Sequence, residues 1–212
     1  QISIARWIMN IITISREFGS GGRELGKRLA DMLGYDYYDS QIITAIAAKK
    51  GMDEEYVGQL LESSIQSIPL TYAHSFVLPV PSQMEQLDLL VEQKRVIEKI
   101  GKEGRDCVIV GRNADIYLEQ YKPLSIFVCA DMDSKVERCT QRAEAGEDTT
   151  PKKLVRKIKQ IDKNRRRTRE FIGGNEWGDP HNYHLVVNTQ GWDIKELTPV
   201  VAEFVKKFNE RG

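Results

Sequence analysis

The sequence is poor in cysteine and histidine, has no surplus of charge of either sign, and contains no long apolar run. Its three cysteines stand at 107, 129 and 139 of 212 residues. The count is odd and no C-x-x-C pair occurs, which argues against a disulfide framework or a structural zinc site and for reduced thiols in a cytoplasmic protein. The three histidines, His74, His181 and His184, show no metal-type spacing with cysteine, so no resident metal site is expected. Lys+Arg and Asp+Glu are both 31. A chain built to coat nucleic acid or an acidic membrane surface is usually globally basic, and this one is neutral. No apolar run approaches the roughly 18 residues of a membrane-spanning helix. The opening residues do not read as a signal peptide, because the apolar stretch is short and Arg16 interrupts it. Met9 fits a start position, with residues 1–8 as an extension.

What is present is 41% hydrophobic and 29% charged residues, enough apolar material for a core. At roughly 150 residues per domain the length predicts a single domain. Five β-type runs appear: IITIS (11–15), YDYYD (35–39), CVIV (107–110), LSIFVC (124–129) and HLVVN (184–188). All but the second are almost continuously apolar, as expected of parallel strands covered on both faces. Helical spacing separates them: Leu25, Leu29, Met32 and Leu33; then Leu87, Leu90, Val91, Ile97 and Ile100; then Val136, Cys139 and Ala143; finally Val200, Val201, Phe204, Val205 and Phe208. The alternation predicts an α/β fold with right-handed crossovers. Residues 51–81, with Pro69, Pro79 and Pro81, break the rhythm and read as an inserted flap.

The strongest local signal follows the first run: Ser15-Arg16-Glu17-Phe18-Gly19-Ser20-Gly21-Gly22-Arg23-Glu24. Glycines between a buried strand and an amphipathic helix allow close backbone approach. The free N–H groups at the helix start, with its dipole, form an anion site suited to phosphate. A tight turn without a ligand is the other reading. The match to G-x-x-x-x-G-K-[ST] is partial. Arg16 stands at the first glycine, Gly22 at the lysine and Arg23 at the Ser/Thr. The usual β/γ-phosphate contact and one magnesium ligand are therefore missing. Arg23 or Arg16 could supply the charge, since guanidinium binds phosphate bidentately.

Residues 152–169 hold ten Lys or Arg and one acid, Asp162. Leu154, Ile158 and Ile161 share one helical stripe, and most of the basic residues lie opposite it, exposed. Arg165 and Arg169 fall on the apolar side. A buried unpaired guanidinium is very costly, so each needs a protein carboxylate or a ligand phosphate. The stretch lacks interleaved aromatics on which bases could stack, which weighs against a nucleic-acid groove. The third run ends in Gly111-Arg112-Asn113, at the carboxyl edge of the sheet where ligands sit in open α/β folds. Asp39-Ser40 reaches the same edge. Either Asp39 or Asn113 could instead be a helix cap.

Taken in order from residue 11, ISREFGSGGREL, YYDS, VGRN, IDKNRRRTR and LVVNT resemble the cytidylate kinase-like group of P-loop kinases. The resemblance covers nearly the whole chain. It implies one three-layer α/β/α domain around a five-stranded parallel sheet, with residues 146–175 as a lid. It implies ATP with magnesium as phosphoryl donor, and a small-molecule acceptor, a nucleoside monophosphate such as CMP or dCMP. By position, Phe18, Gly19, Ser20, Gly21, Gly22 and Arg23 would hold the donor. Asp39, Arg112 and Asn113 would hold the acceptor. Arg165, Arg169 and Arg23 would be the catalytic cations, and Arg138 and Arg142 further lid candidates. The chain departs from the family pattern in the absent lysine and in Val110 and Asn113, which stand in place of the acids of a D-G-R-D turn. Thr44-Ala45 replaces a downstream arginine, and residues 51–81 are unlike the usual monophosphate-binding insert. The alternatives are a nucleotide-binding protein without transfer activity, a kinase for a non-nucleotide small molecule, and a basic adaptor for RNA. A homodimer is an open option.

Overall fold

The side chains of β1 (Ile11–Arg16) alternate between two cores, and this alternation organises the molecule. A computed structural model describes residues 9–63, 81–144 and 146–210. Ile12 and Ile14 face one way, with Val108 and Val110 of β3 (Cys107–Val110) and Leu124, Ile126 and Val128 of β4 (Leu124–Cys129). Over them pack Leu25, Leu29 and Ala30 of α1 (Gly22–Leu33) and Val201, Ala202 and Val205 of α8 (Ile194–Asn209). Ile11, Cys107 and Ile109 face the other way. They meet α2 (Ser40–Lys50), α3 (Glu54–Glu62), α4 (Pro81–Lys102) and α5 (Ala114–Tyr117). A small third cluster joins Phe127 to Trp177 and Tyr183. Its rings meet edge-on at 5.3 Å and tilted at 5.0 Å.

All pairings are parallel, and the order is β2-β3-β1-β4-β5, with β2 at Asp36–Tyr38 and β5 at Leu185–Asn188. The sheet is thus five-stranded and covered by helices on both faces, as expected. Two further helices follow β4: α6 (Met132–Gln141) and α7 (Pro151–Phe171), which opens with Pro151 in its first turn.

The differences from the sequence expectation are local. Both β2 and β5 are shorter than the runs that announced them. β5 is an edge strand with only one covered face: Val187 is buried while Val186 and Asn188 are exposed. Its apolar run therefore did not mean burial on both sides. On α4 the buried stripe runs through Leu89, Leu90, Ile97 and Ile100, and Val91 points to solvent. Buried Gln86, Glu92 and Gln93 disguise that stripe in the sequence. Within residues 51–81, α3 is no loose flap, since Val57 and Leu61 sit in the second core. Residues 64–80 of the flap expectation lie outside the described residues. Among the described residues no helix is long and apolar enough to cross a membrane.

Leu29 is fully buried between the sheet and α8. Leu29→Ala should lower unfolding free energy by about 2–5 kcal/mol, read by urea denaturation. A loss indistinguishable from an exposed Leu→Ala control would contradict this packing.

Candidate active site

The carboxyl ends of β1, β2 and β3 bring the predicted residues to one edge. β1 ends at Arg16, the loop turns through Gly19 and Ser20, and α1 begins at Gly22 with Gly21 as its left-handed N-cap (φ 83°). Side chains and neighbouring strands brace the loop. Glu17 N–H donates to Val128 O (3.0 Å), and Thr189 Oγ1 donates to Ser20 O (2.8 Å). Ser20 Oγ turns back to Glu17 O at 2.8 Å. It is therefore spent inside the loop. The Phe18 N–H is also taken, by Asp162 Oδ1 of α7 at 2.7 Å. Among the described residues no hydrogen bond occupies the N–H groups of Gly19, Gly21 or Gly22. Those are the donors an anion would meet.

A lysine that the sequence reading missed holds the loop from behind. Lys135 is the buried residue of α6, and its Nζ lies 2.6 Å from Glu17 Oε2 and 3.6 Å from Asp162 Oδ2. The signal was available: Lys135 shares a helical stripe with Met132 and Cys139, so its stem had to be buried. Burial pushes the Asp162 carboxyl up, against the Phe18 N–H, Arg165 and Lys135, which favour its charged form. Loop, α6 and α7 are thereby joined through one polar cluster.

Arg165 comes to the cleft. Its Nη1 donates to Arg16 O at 3.0 Å and lies 3.7 Å from Asp162 Oδ1, and its guanidinium sits 5.8 Å over the Phe18 ring. Burial lowers its pKa, with Asp162 and Glu62 opposing. Arg169, one turn on, is not brought there. Its Nη2 pairs with Asp115 Oδ2 at 2.8 Å and its Nε donates to Asn175 O at 2.8 Å. The costly buried guanidinium has found a protein carboxylate, which corrects its expected place over the transferred group. Arg138 and Arg142 border the cleft but are committed elsewhere, to Thr189 and Trp192 and to Glu24.

Asp39 stands at the N-cap position of α2, yet its side chain makes no capping bond. Its Oδ2 forms an ion pair with Arg23 Nε instead (2.6 Å), and Arg16 Nη2 is 3.9 Å from its other oxygen, which is buried with no hydrogen-bond partner among the described residues. Asn113 likewise stands at an N-cap without capping. Gly111, Arg112 and Asn113 all have positive φ (73°, 58° and 54°). Two consecutive non-glycine residues in the left-handed region are a stored strain of the kind found at ligand sites. The Arg112 side chain is 7% exposed, its Nε has no hydrogen-bond partner among the described residues, and its Nη2 reaches Glu62 Oε1 only at 3.5 Å.

Two chambers result. The larger chamber, about 380 Å³, lies over the loop and is bordered by Phe18, Gly21, Gly22, Arg23 and Lys157. The other, about 50 Å³, lies between Gln93, Arg112, Asn113, Asn164 and Trp177. Arg16, Glu62 and Arg165 line both. The small chamber is bordered by α3, whose Glu62 engages Arg112 and whose Glu62 C=O accepts from Asn164 of α7 at 2.9 Å. Glu62, Gln93 and Asn164 were not singled out from the sequence, since lone polar residues on amphipathic helices carry no motif.

Among the described residues no three His, Cys, Asp or Glu side chains group to hold a metal. With Ser20 Oγ turned inward and Arg23 in the hydroxyl position, the loop fits a magnesium ion carried on phosphates and waters, not one held in a protein cage.

A parallel sheet of this order, with a glycine loop after its first strand, is the fold of the P-loop kinases. Shikimate kinase from Bacteroides thetaiotaomicron superposes with a TM-score of 0.58 at 14% identity, over 93% of this chain and 99% of that one. An uncharacterized protein from Eubacterium ventriosum gives 0.67 at 24%, over 93% and 99%. Within that fold the chain belongs to the cytidylate kinase-like family, whose model matches residues 11–191. It is 26% identical to the cytidylate kinase of Methanosphaerula palustris, over 90% of this chain and 94% of that protein. It is also 26% identical to that of Salinibacter ruber, over 95% and 99%.

Arg169→Ala leaves Asp115 buried and unpaired. It should cost about 3–5 kcal/mol of stability while nucleotide binding by the folded protein is kept. Equilibrium unfolding with calorimetric nucleotide titration checks both, and lost binding at unchanged stability would return Arg169 to the cleft.

Proposed function

We propose that the protein transfers the γ-phosphoryl group of ATP to a small anionic acceptor, with nucleoside monophosphates, CMP and dCMP foremost, as the first class to test. The observation that carries this reading is the meeting of the two chambers at Arg16 and Arg165, one floored by unoccupied loop amides and the other edged by a half-satisfied Arg112. The donor and acceptor of a phosphoryl transfer need that geometry: two anions side by side, with cations between them.

In this reading the Gly19, Gly21 and Gly22 amides and Arg23 bind the donor's phosphates, and Phe18 covers them. Arg112, with Asp39 and Asn113, holds the acceptor. An acceptor oxygen attacks the γ-phosphorus in line, and the bond to the β–γ bridging oxygen breaks. ADP leaves with that electron pair, and no covalent enzyme intermediate forms. Magnesium on the nucleotide neutralises phosphate charge. Arg165, carried on α7, stabilises charge on the equatorial oxygens while the closed helix keeps water out.

The tightness of the small chamber, about 50 Å³, favours a second reading for the acceptor alone: a non-nucleotide small molecule bearing a phosphate or carboxylate. Incubating the protein with ATP and magnesium against CMP, dCMP, UMP, AMP and phosphorylated or carboxylated alcohols separates the two by product. No phosphorylated product from any acceptor, with ATP bound, would leave a binding protein.

Arg165→Ala should lower turnover by about 10³-fold and change ATP affinity far less; equal losses in both would remove it from the transition state. Glu62→Gln should free Arg112, lowering KM for the anionic acceptor while ATP affinity stays constant. An unchanged or raised KM would show that Glu62 does not compete for that guanidinium.

A further inference from the structure

The phosphate-loop pattern is broken at three places in this chain, and the structure makes the first two breaks one event. Arg16 stands at the first glycine of the pattern and Gly22 at its lysine. The Gly22 backbone is not in the left-handed region, so conformation does not demand glycine there. Space does. A Cβ at residue 22 would lie 2.6 Å from Arg16 Cβ, 3.1 Å from Arg16 Cγ and 3.2 Å from Val128 Cβ. The stem of Arg16 fills the place from which a side chain at 22 would start. Its far end lies beside a second glycine, Gly111, whose φ of 73° already favours glycine and where a Cβ would fall 1.6 Å from Arg16 Nη1. The arginine thus threads between two glycines and delivers its guanidinium to the wall that both chambers share.

Among the described residues no hydrogen bond reaches that guanidinium, and only the more distant Asp39 and Glu62 carboxylates favour its charge. Arg16 is 9% exposed, and its nearest carboxylate oxygen, on Asp39, is 3.9 Å away. Burial first, then Arg165, push its pKa down to about 9, which still leaves it a cation at neutral pH. Arg112 adds to the same repulsion. A buried cation facing two others calls for an anionic ligand.

We infer that Arg16 supplies, from the end of β1, the phosphate contact that the pattern's lysine supplies from the start of α1. Cation and glycine have exchanged places, and the cation enters the same space from the opposite side. A guanidinium there has a planar fork where an ammonium has a point charge, so one side chain can address oxygens in both chambers. The inference rests on the phosphotransferase reading only in taking ATP as the ligand.

The test is a reciprocal exchange in the full chain, read by calorimetric titration with ATP and magnesium, with circular dichroism as the check on folding. Arg16→Gly should weaken ATP binding about tenfold or more. Gly22→Lys alone should also weaken it, because the new side chain meets Arg16. The double variant Arg16→Gly/Gly22→Lys should bind better than either single variant. Arg16→Met keeps the stem against Gly22 and removes the charge; it should lose affinity with its fold intact, and it decides the matter if Arg16→Gly unfolds. Wild-type affinity in Arg16→Met, or a folded double variant no better than Arg16→Gly, overturns the inference. ATP binding that depends on Arg16, without transfer to any acceptor, upholds the inference and defeats the kinase reading instead.

Discussion

Three guanidinium groups share the carboxyl edge of this sheet, and the local carboxylates do not fully answer them. Arg16, Arg112 and Arg165 converge there, each with its pKa lowered chiefly by burial. Asp39, Glu62 and Asp162 stand 3.5 to 3.9 Å from them. A fold that keeps such a cluster without a ligand has to hold it with everything around it. The strained turn at residues 111–113, the glycines that clear space for Arg16 and the polar links between α3 and α7 all serve that end.

The same cluster ties the moving parts together. α7 is attached to the phosphate loop through Asp162, which also faces Lys135 and Arg165. It is attached to α3 through Asn164 and, across the cleft, Glu62 lies against Arg112. An anion entering on Arg112 competes with Glu62, and one entering at the loop adds a partner for Arg165. On the proposed reading, the two anions would therefore act on different contacts of the same cluster.

The architecture was largely legible because hydrophobic periodicity reports burial directly. Leu25 and Leu29 marked the covered face of α1, and the apolar runs marked four of the strands. Where periodicity misled, polar residues were buried or apolar ones were not: Gln93 and Glu92 on α4, Val186 on β5. The site was legible as a set of cations and a glycine loop, since both carry a chemical reason in the sequence itself. What could not be read was pairing. Arg23 bridging to Asp39, Glu62 against Arg112 and Lys135 behind the loop all join residues at least 16 positions apart. Only the folded chain decides which carboxylate a given arginine meets.

Arg165 and Arg169 show how much turns on that decision. They are one helical turn apart on the same side of α7, with the Arg165 side chain 19% exposed and that of Arg169 3%. Arg169 has a 2.8 Å carboxylate, a carbonyl and the Tyr183 ring at 5.7 Å. Arg165 has a carbonyl oxygen at 3.0 Å and a carboxylate no nearer than 3.7 Å. A buried charge held in a short ion pair has less to offer a ligand, because binding would have to break what is already made, even though Arg169 Nη1 makes no hydrogen bond among the described residues. One that is incompletely paired gains from a ligand what the fold withheld. A basic stretch that reads uniformly along the sequence is therefore divided by Asp115, which fixes Arg169 as an anchor of α7 and leaves Arg165, on the proposed reading, as the cation for a ligand.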